Sequence, residues 1–224
     1  MVLDAIFYLV RGGIAWRALP TDFPPPTTVY DIFRRWTKAG AWQRITDVLR
    51  DRIRVRTGRR ATPTAPIIDS QSVRGADTVP AASRGWDNGK KVGGRKRHIA
   101  TDTMGLLLAV VVTAASTQDR DGAVPLLARL RERFSTITLT WADAGYTGRL
   151  VTWAHQVLHL TITIVKRTDP GFVVLPRRWV VERTLAWITK HRRLVRDYET
   201  RPDHHEAMIY IATIMTMSRR LTRT

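Results

Sequence analysis

Three acidic residues occupy positions that suit metal-dependent chemistry on a phosphodiester. Asp69 and Asp143 each follow an apolar run typical of a buried strand, and Glu182 lies in a stretch with helical periodicity. Ligand-binding groups gather at the carboxyl ends of strands in α/β sheets. Hard cations such as Mg²⁺ and Mn²⁺ prefer carboxylate oxygens, and a pair of them about 4 Å apart can activate an attacking oxygen and stabilise a leaving one. We therefore interpret these three residues as candidate metal ligands.

Other interpretations of the acidic residues stay open, because the three acids are far apart in sequence and do not form a motif by themselves. Glu182 lies four residues from Arg178, so the two share a helix face and could simply form an ion pair in solvent. We interpret Asp102 as a turn residue. Asp119 and Asp121 open a predicted helix, where they favour the positive end of its dipole.

The stretch 176–199 is predicted to form one helix that carries Glu182. Val181, Leu185, Ile188 and Val195 make an apolar stripe at helical spacing, which would let this helix pack across a sheet. From residue 66 the predicted order is strand, polar loop over 72–94, hairpin, helix, strand, helix, strand and helix, the last over 203–221. This order is typical of a mixed α/β fold.

Residues 1–60 are predicted to form a separate, all-helical region, and residues 61–224 the α/β domain. The third N-terminal helix is basic, with four arginines expected mostly outward and an apolar set expected inward. The outward set is Arg44, Arg50, Arg52 and Arg54, and the inward set is Trp42, Ile45, Val48, Leu49 and Ile53. Three short helices with a basic third one are typical of a helix-turn-helix DNA-binding module. The alternative is a small bundle that binds nothing.

The charge of the chain points to a polyanionic partner. The net charge is +18 and most of the cations are arginine, which suits bidentate contacts with phosphate. There is no cysteine, which excludes disulfides, thiolate zinc sites and a cysteine nucleophile. The longest apolar run, over 106–115, is too short to span a bilayer, and the N-terminal stretch lacks the features of a signal peptide.

One basic block is denser than any other in the sequence, and we predict that it contacts the DNA backbone. It consists of Lys90, Lys91, Arg95, Lys96 and Arg97. Such contacts raise affinity without reading sequence and weaken with salt. The alternative is a solvated basic hairpin. Trp86 and Trp141 are candidates for stacking on a base, although Trp141 ends a core strand and is better interpreted as a buried structural residue.

Several segments resemble the DDE transposases of bacterial insertion sequences, specifically insertion-sequence family five. The matching segments are VYDIFRRW, IIDSQSVRG, GKKVGGRKRHIATDTMGLLLAVVVTAAS, ADAGYTGRLV, VLPRRWVVERTLAW, RRLVRDYE and EAMIYIA. They cover nearly the whole chain in the family's order. The resemblance implies an RNase H-like mixed sheet flanked by helices, after a small helical region. It also implies metal-dependent DNA cleavage at the ends of a mobile element, followed by strand transfer.

The resemblance also implies roles for particular residues. Asp69 in IIDSQ, Asp143 in WADAGY and Glu182 in WVVER match the family's metal-binding triad, which holds Mg²⁺ or Mn²⁺, expected as two ions. Arg178 matches the family's arginine near the scissile phosphate. Together these four residues are the predicted catalytic set.

Two departures from the family pattern bear on DNA binding. Leu175 and Thr189 stand where the family has a tyrosine and a lysine, and Lys190 or Arg192 is the candidate replacement for the lysine that grips DNA. Family members also carry a further segment before the first helix, which puts end recognition in question.

The sequence therefore predicts a transposase that cleaves insertion-sequence ends and transfers the 3′-OH into target DNA. Its expected partners are the terminal inverted repeats, target DNA and further copies of itself, as a homodimer or higher assembly on DNA. Its expected location is the bacterial cytoplasm, with the nucleoid. One alternative is a catalytically inactive, N-terminally shortened DNA-binding relic or regulator of transposition, and another is a structure-selective nuclease.

Overall fold

The computed structural model describes residues 1–165 and 179–222. Within these residues three helices are followed by four strands and then by helices and strands in alternation, an order typical of a mixed α/β protein. The helices are α1 (Val2–Gly12), α2 (Pro26–Lys38), α3 (Ala41–Arg56), α4 (Asp119–Arg133), α5 (Arg149–Leu158), α6 (Trp179–Thr189) and α7 (Pro202–Thr222). The strands are β1 (Ile67–Arg74), β2 (Gly85–Asp87), β3 (Val92–Thr101), β4 (Leu107–Ala114), β5 (Leu139–Ala142) and β6 (Thr161–Ile164).

The strands form a single mixed sheet. Its order is β2-β3-β1-β5-β6, and β4 also pairs with β3. β3 is antiparallel to β1, β2 and β4, whereas β1, β5 and β6 run parallel to one another. The sheet confirms the predicted mixed α/β, RNase H-like architecture.

The two faces of the sheet are covered by different helices. Successive side chains of a strand point to opposite faces, and the core follows this alternation. Ile67 and Trp141 join a core with residues of α1, α2, α6 and α7, while Ile68 and Ala142 join one with residues of α4 and α5. Trp141 is buried, as its structural interpretation predicted.

The N-terminal helices share their core with the α/β part of the chain. α1, α2 and α3 pack against α7, and their apolar side chains belong to the same buried cluster as those of the sheet and α6. α1 ends at Gly13, whose positive φ of 73° suits a helix C-terminus. The division of the chain at residues 60 and 61 stays a prediction. None of the helices described is both long and apolar enough to cross a membrane.

The predicted helix over 176–199 is too long. α6 ends at Thr189, and Val195, which was expected in its apolar stripe, is exposed. The chain turns at this point because Arg193 is buried and its Nη2 lies 2.8 Å from Oε1 of Glu199. These two residues are six apart, so a continuous helix would have placed them on different faces.

The buried side of α3 also differs from the prediction. Arg50 and Arg54, expected mostly outward, are buried, whereas Ile45 and Val48, expected inward, are exposed. α3 packs along α7 beneath the turn between β3 and β4, where Arg54 bonds to the buried carboxylate of Asp102. A long-range partner therefore determines which face of α3 is buried.

The predicted polar loop over 72–94 contains part of the sheet. β1 continues to Arg74, so Asp69 is its third residue rather than the residue after its end, and β2 lies inside the expected loop. β3 begins at Val92, so three cations of the basic block belong to a central strand. The interpretation as a solvated hairpin therefore fails for Arg95, Lys96 and Arg97, whereas Lys90 and Lys91 lie exposed in the turn between β2 and β3.

Candidate functional site

Asp69, in β1, and Asp143, directly after the end of β5, lie level with each other at neighbouring positions of the sheet. β1 and β5 are parallel with Ile67 opposite Trp141, and each aspartate follows two residues after its member of that pair. Neighbouring strands are about 4.8 Å apart, and alternation places both aspartates on the face of Ile67 and Trp141. The structure thus brings two of the three predicted metal ligands together, although 73 residues lie between them in sequence.

Backbone N–H groups fix the orientation of both carboxylates. The N–H of Ser70 donates to Oδ1 of Asp69 at 2.7 Å, and the N–H of Gly145 donates to Oδ1 of Asp143 at 2.8 Å. Asp143 thereby caps the short 3-10 turn Ala144–Tyr146 that follows β5. Both aspartates are half-buried. These hydrogen bonds hold the carboxylates in place before any ligand arrives.

Glu182 is positioned on the same face of the sheet. It lies exposed in the first turn of α6, whose Val180 and Val181 join the core formed by Ile67 and Trp141. Among residues 1–165 and 179–222, however, no three His, Cys, Asp or Glu side chains are grouped so that they could hold a metal ion. The helix of the third acid therefore packs on the same face of the sheet, and the assembly of the three acids into one site stays a prediction.

Arg178, the remaining member of the predicted catalytic set, lies outside the described residues. Its assignment near the scissile phosphate stays a prediction, as does the consequence of having Leu175 in place of the family's tyrosine.

Asp119 is a further carboxylate at this site, which the sequence had indicated only as a helix-opening residue. Its Oδ1 accepts hydrogen bonds from Oγ of Ser70 at 2.7 Å and from Nζ of Lys96 at 2.9 Å. A Cβ on Gly145 would lie 3.0 Å from Oδ1 of Asp143 and 3.9 Å from Oδ2 of Asp119, so the two carboxylates flank this glycine. Asp119 is the first residue of α4, as its interpretation as a helix-opening residue requires, and it also belongs to this site.

The electrostatics of Asp119 keep it ionised. Burial alone would raise the pKa of this carboxyl, but the hydrogen bonds from Lys96 and Ser70 outweigh burial and lower the pKa. No local pattern in the sequence signals this contact. It arises because β3 pairs with β1 and carries Lys96 to the N-terminus of α4.

Tyr146 presents a buried hydroxyl to these acids. The residue is 1% exposed, and its hydroxyl lies near Ser70 but makes no hydrogen bond within the described part of the chain. Burial raises the pKa of Tyr146 well above its usual value, and the charges of Asp69 and Asp119 act in the same direction. An unpartnered buried hydroxyl beside carboxylates fits a site that completes its bonding when a ligand is present. The donor set, all carboxylate oxygen, fits a hard divalent cation.

The five cations of the basic block divide into two groups. Arg95, Lys96 and Arg97 are 1%, 5% and 1% exposed, whereas Lys90 and Lys91 are exposed. In this fold the first three serve internal contacts, so a DNA contact from them would need their side chains to leave those partners. We therefore keep the prediction of a DNA contact for the exposed Lys90 and Lys91.

The two buried arginines connect β3 to the segment after α6. Arg95 forms an ion pair with Asp197, Nη1 to Oδ2 at 3.0 Å. Arg97 donates to Oε1 of Gln71 from Nε at 2.9 Å and to the carbonyl of Leu194 at 3.1 Å. Burial lowers the pKa of Arg97 to about 10, which leaves it charged at neutral pH. These cations stabilise the fold beside the site.

The other predicted DNA-binding residues are at the surface. Lys190 and Arg192 are exposed just after α6, and Trp86 in β2 is 50% exposed, so its ring is accessible to a base. Nothing in the geometry tests whether these side chains contact DNA, and they stay predictions.

Comparisons with known proteins agree on one family. Residues 60–217 match the family model described as "Transposase DDE domain", and residues 1–46 match "Putative transposase of IS4/5 family". A Burkholderia cepacia protein named "Putative transposase for insertion sequence element IS402" is 33% identical over 124 residues. That alignment covers 52% of this chain and 59% of the relative, so the match spans less than two thirds of the relative's length.

Proposed function

The chain belongs to the DDE transposases, and from this membership we propose that it cleaves DNA at the ends of an insertion sequence and joins the freed 3′-OH to target DNA. The observation that carries the proposal is the parallel pairing of Ile67 with Trp141, which sets Asp69 in β1 level with Asp143 directly after β5. The placement of α6 on the same face supports a third contribution from Glu182.

Asp69, Asp143 and Glu182 would hold Mg²⁺ or Mn²⁺, with two ions expected. When bound, such ions activate an attacking oxygen and stabilise charge on a leaving one. The N–H groups of Ser70 and Gly145 orient two of the three carboxylates toward that task. Glu182, at the exposed start of a helix, would complete the set as DNA enters.

Asp119 and Tyr146 would assist from beside the triad. Lys96 and Ser70 hold the Asp119 carboxylate at a fixed position, where it can accept a hydrogen bond from a water or hydroxyl in the site. The unpartnered Tyr146 hydroxyl can donate to one of the neighbouring acids. Asp119 as a hydrogen-bond acceptor and Tyr146 as a donor would thus help to fix the orientation of groups bound beside Asp69 and Asp143.

The proposed substrate is double-stranded DNA, at the element's inverted repeats and at the target site. Lys90, Lys91, Lys190 and Arg192 supply exposed positive charge, and contacts of this kind position a duplex without reading its sequence. Assembly as a homodimer or higher oligomer on DNA, and association with the nucleoid in the cytoplasm, belong to the same proposal.

The test is cleavage of a plasmid that carries the element's ends. We expect Asp69→Asn and Asp143→Asn to lower Mg²⁺-dependent nicking by about 10³-fold or more, because several kcal/mol of charge stabilisation is lost. DNA binding should be retained, and EDTA should abolish nicking by the unaltered protein. Asp121→Asn, an exposed acid in the first turn of α4, is the matched control and should nick normally.

Two outcomes would contradict the proposal. Retained nicking by Asp69→Asn would remove that residue from the chemistry. A folded, unaltered protein that binds element ends, yet neither nicks them nor joins pre-cleaved ends in Mn²⁺, would instead support a DNA-binding regulator.

A further inference from the structure

A cavity ringed by cations lies away from the carboxylates, where the C-terminal ends of α1 and α7 meet the end of α6. Its volume is about 520 Å³. We call it the cationic cavity; the residues that line it are Arg11, Trp187, Lys190, His191, Thr216, Arg219 and Arg220. Four of these side chains carry permanent positive charge, and no acid is among the described residues that line it.

The four cations of the cavity have no carboxylate partner in the described part of the chain. Arg11, Arg219 and Arg220 lie in the last turns of α1 and α7, where a cation complements the helix dipole. The helix dipole would stabilise the three arginines equally well if their side chains pointed away from one another, so it does not explain why they converge. Their convergence with Lys190 on one space adds mutual repulsion, which a bound anion would relieve.

His191 adds a second, independent observation. Its side chain lines the cavity and is 2% exposed, yet neither ring nitrogen has a hydrogen-bond partner among the described residues. Burial lowers the pKa of His191. The nearby backbone of Trp187 and Ile188 opposes this shift, and the guanidinium groups of Arg11 and Arg219 add to it. A buried imidazole without a partner is costly unless something else bonds to it.

The wall of the cavity is held rigid. The guanidinium of Arg183 lies 4.4 Å from the ring centroid of Trp179 and 4.5 Å from that of Trp187, and it donates to the carbonyl of Met104 at 3.0 Å. This stacking fixes Trp187, so the cavity is preformed on its α6 side.

We propose that the cationic cavity binds phosphate of the DNA backbone at a position separate from the cleavage site. The inference rests on the proposed function, because it takes DNA as the substrate. Lys190 follows Glu182 by eight residues, which is about 12 Å at the rise of a helix. A duplex whose reacting phosphate lies at Glu182 would therefore meet the cavity roughly three to four base pairs away.

The experiment measures how binding of a fluorescent duplex to the full chain depends on salt, in EDTA so that no cleavage occurs. Arg219→Gln should lower the slope of log K against log [NaCl] by about 0.9, and the double variant with Arg220→Gln by about 1.8. Both arginines are exposed, so the fold should survive, and thermal unfolding checks this. If the double variant does not fold, Lys190→Gln should lower the slope by about 0.9 in its place.

The matched control is Arg131→Gln. Arg131 lies in the last turn of α4 on the opposite face of the sheet, and this substitution removes the same charge. Its slope should equal that of the unaltered protein. An unchanged slope in the Arg219 and Arg220 variants, or an equal fall in the Arg131 control, would overturn the proposal.

A second arm distinguishes backbone phosphate from free phosphate. Inorganic phosphate is compared with NaCl at equal ionic strength in thermal unfolding of the unaltered protein and of the double variant. Stabilisation by phosphate that the double variant loses, together with the lower DNA slope, supports a phosphate site that DNA uses. The same stabilisation with an unchanged DNA slope would assign the cavity to a free anion and overturn the DNA proposal.

The proposal for the cationic cavity and the proposal for the cleavage site can be rejected independently of each other. A lower slope in the Arg219→Gln variant, with nicking retained by Asp69→Asn, would support the cavity and reject the proposed catalytic residue. An unchanged slope with nicking lost in Asp69→Asn would do the reverse.

Discussion

Two groups of positive side chains in this protein have opposite surroundings. The β3 group is Arg95, Lys96 and Arg97, and the cavity group is Arg11, Lys190, Arg219 and Arg220. Each member of the β3 group is buried and bonded to protein atoms. The cavity group is exposed and has no acidic partner in the described residues.

The difference shows that charge density alone does not locate a DNA-binding surface. The net charge of +18 correctly points to a polyanion. Yet the densest basic block contributes three cations to the interior of the sheet, where they stabilise the fold and position Asp119. What distinguishes a binding cation from a structural one is whether the fold already supplies its counter-charge.

The largest expected effect concerns stability, and it separates the two groups directly. Arg95→Met should destabilise the protein by about 3–5 kcal/mol, because the fully buried Asp197 would lose its arginine partner. Arg219→Gln, from the cavity group, should change stability by no more than about 0.5 kcal/mol. Urea unfolding of both variants measures this. Equal stability of the two would mean that the burial of Arg95 contributes little.

The next effect concerns pH and extends the comparison to His98, which follows the β3 group directly. Burial lowers its pKa to about 4, although the charge of Asp119 opposes that shift. In the unfolded chain the pKa is about 6.5. Between these two pH values the unfolded state binds more protons at His98 than the folded state does. The contribution of neutral His98 to stability is therefore complete above pH 6.5 and is lost as pH falls toward 4.

We expect this residue to remove about 2 kcal/mol of stability between pH 7 and pH 5. Urea unfolding of the unaltered protein and of His98→Gln at both pH values isolates the contribution of His98, because the other histidines are present in both proteins. The variant should lose less stability over this interval. Identical losses in the two proteins would show that His98 keeps an ordinary pKa in the fold.

The smallest effect compares two lysines of the same basic block. Lys96→Met should lower nicking by roughly 10-fold, since loss of a group that orients a site carboxylate typically costs this much or more, and it should leave the salt slope of DNA binding unchanged. Lys91→Gln should lower that slope by about 0.9 and leave nicking at saturating DNA unchanged. Anisotropy titrations and plasmid nicking measure the two effects. A lower slope in Lys96→Met would restore the original prediction that this residue contacts DNA.

Much of the fold is predictable because it is locally determined. The β3–β4 hairpin follows from a continuous apolar run and from Gly105, whose φ of 81° few other residues adopt. α7, Pro202–Thr222, begins and ends within about one residue of the predicted limits 203–221, because periodicity and turn residues specify them nearby in sequence.

The parts that were wrong depend on partners distant in sequence. The burial of Arg95 requires Asp197, about a hundred residues later, and the burial of Arg54 requires Asp102. The position of Asp119 in the site depends on Lys96 and Ser70, which the sheet register brings to it. Periodicity within one segment cannot detect such contacts. It therefore assigned structural cations to the surface and gave Asp119 only the role of opening a helix.

The pairing of Ile67 with Trp141 makes residue counting along two short strands decisive for this protein. One residue inserted between Ile67 and Asp69, or between Trp141 and Asp143, would turn that aspartate to the other face of the sheet. The long stretch between β1 and β5 only has to bring Trp141 beside Ile67. The connections between the strands can therefore change in length, whereas the spacing from Ile67 to Asp69 and from Trp141 to Asp143 cannot. We expect a single-residue insertion in either spacing to reduce activity more than most substitutions do.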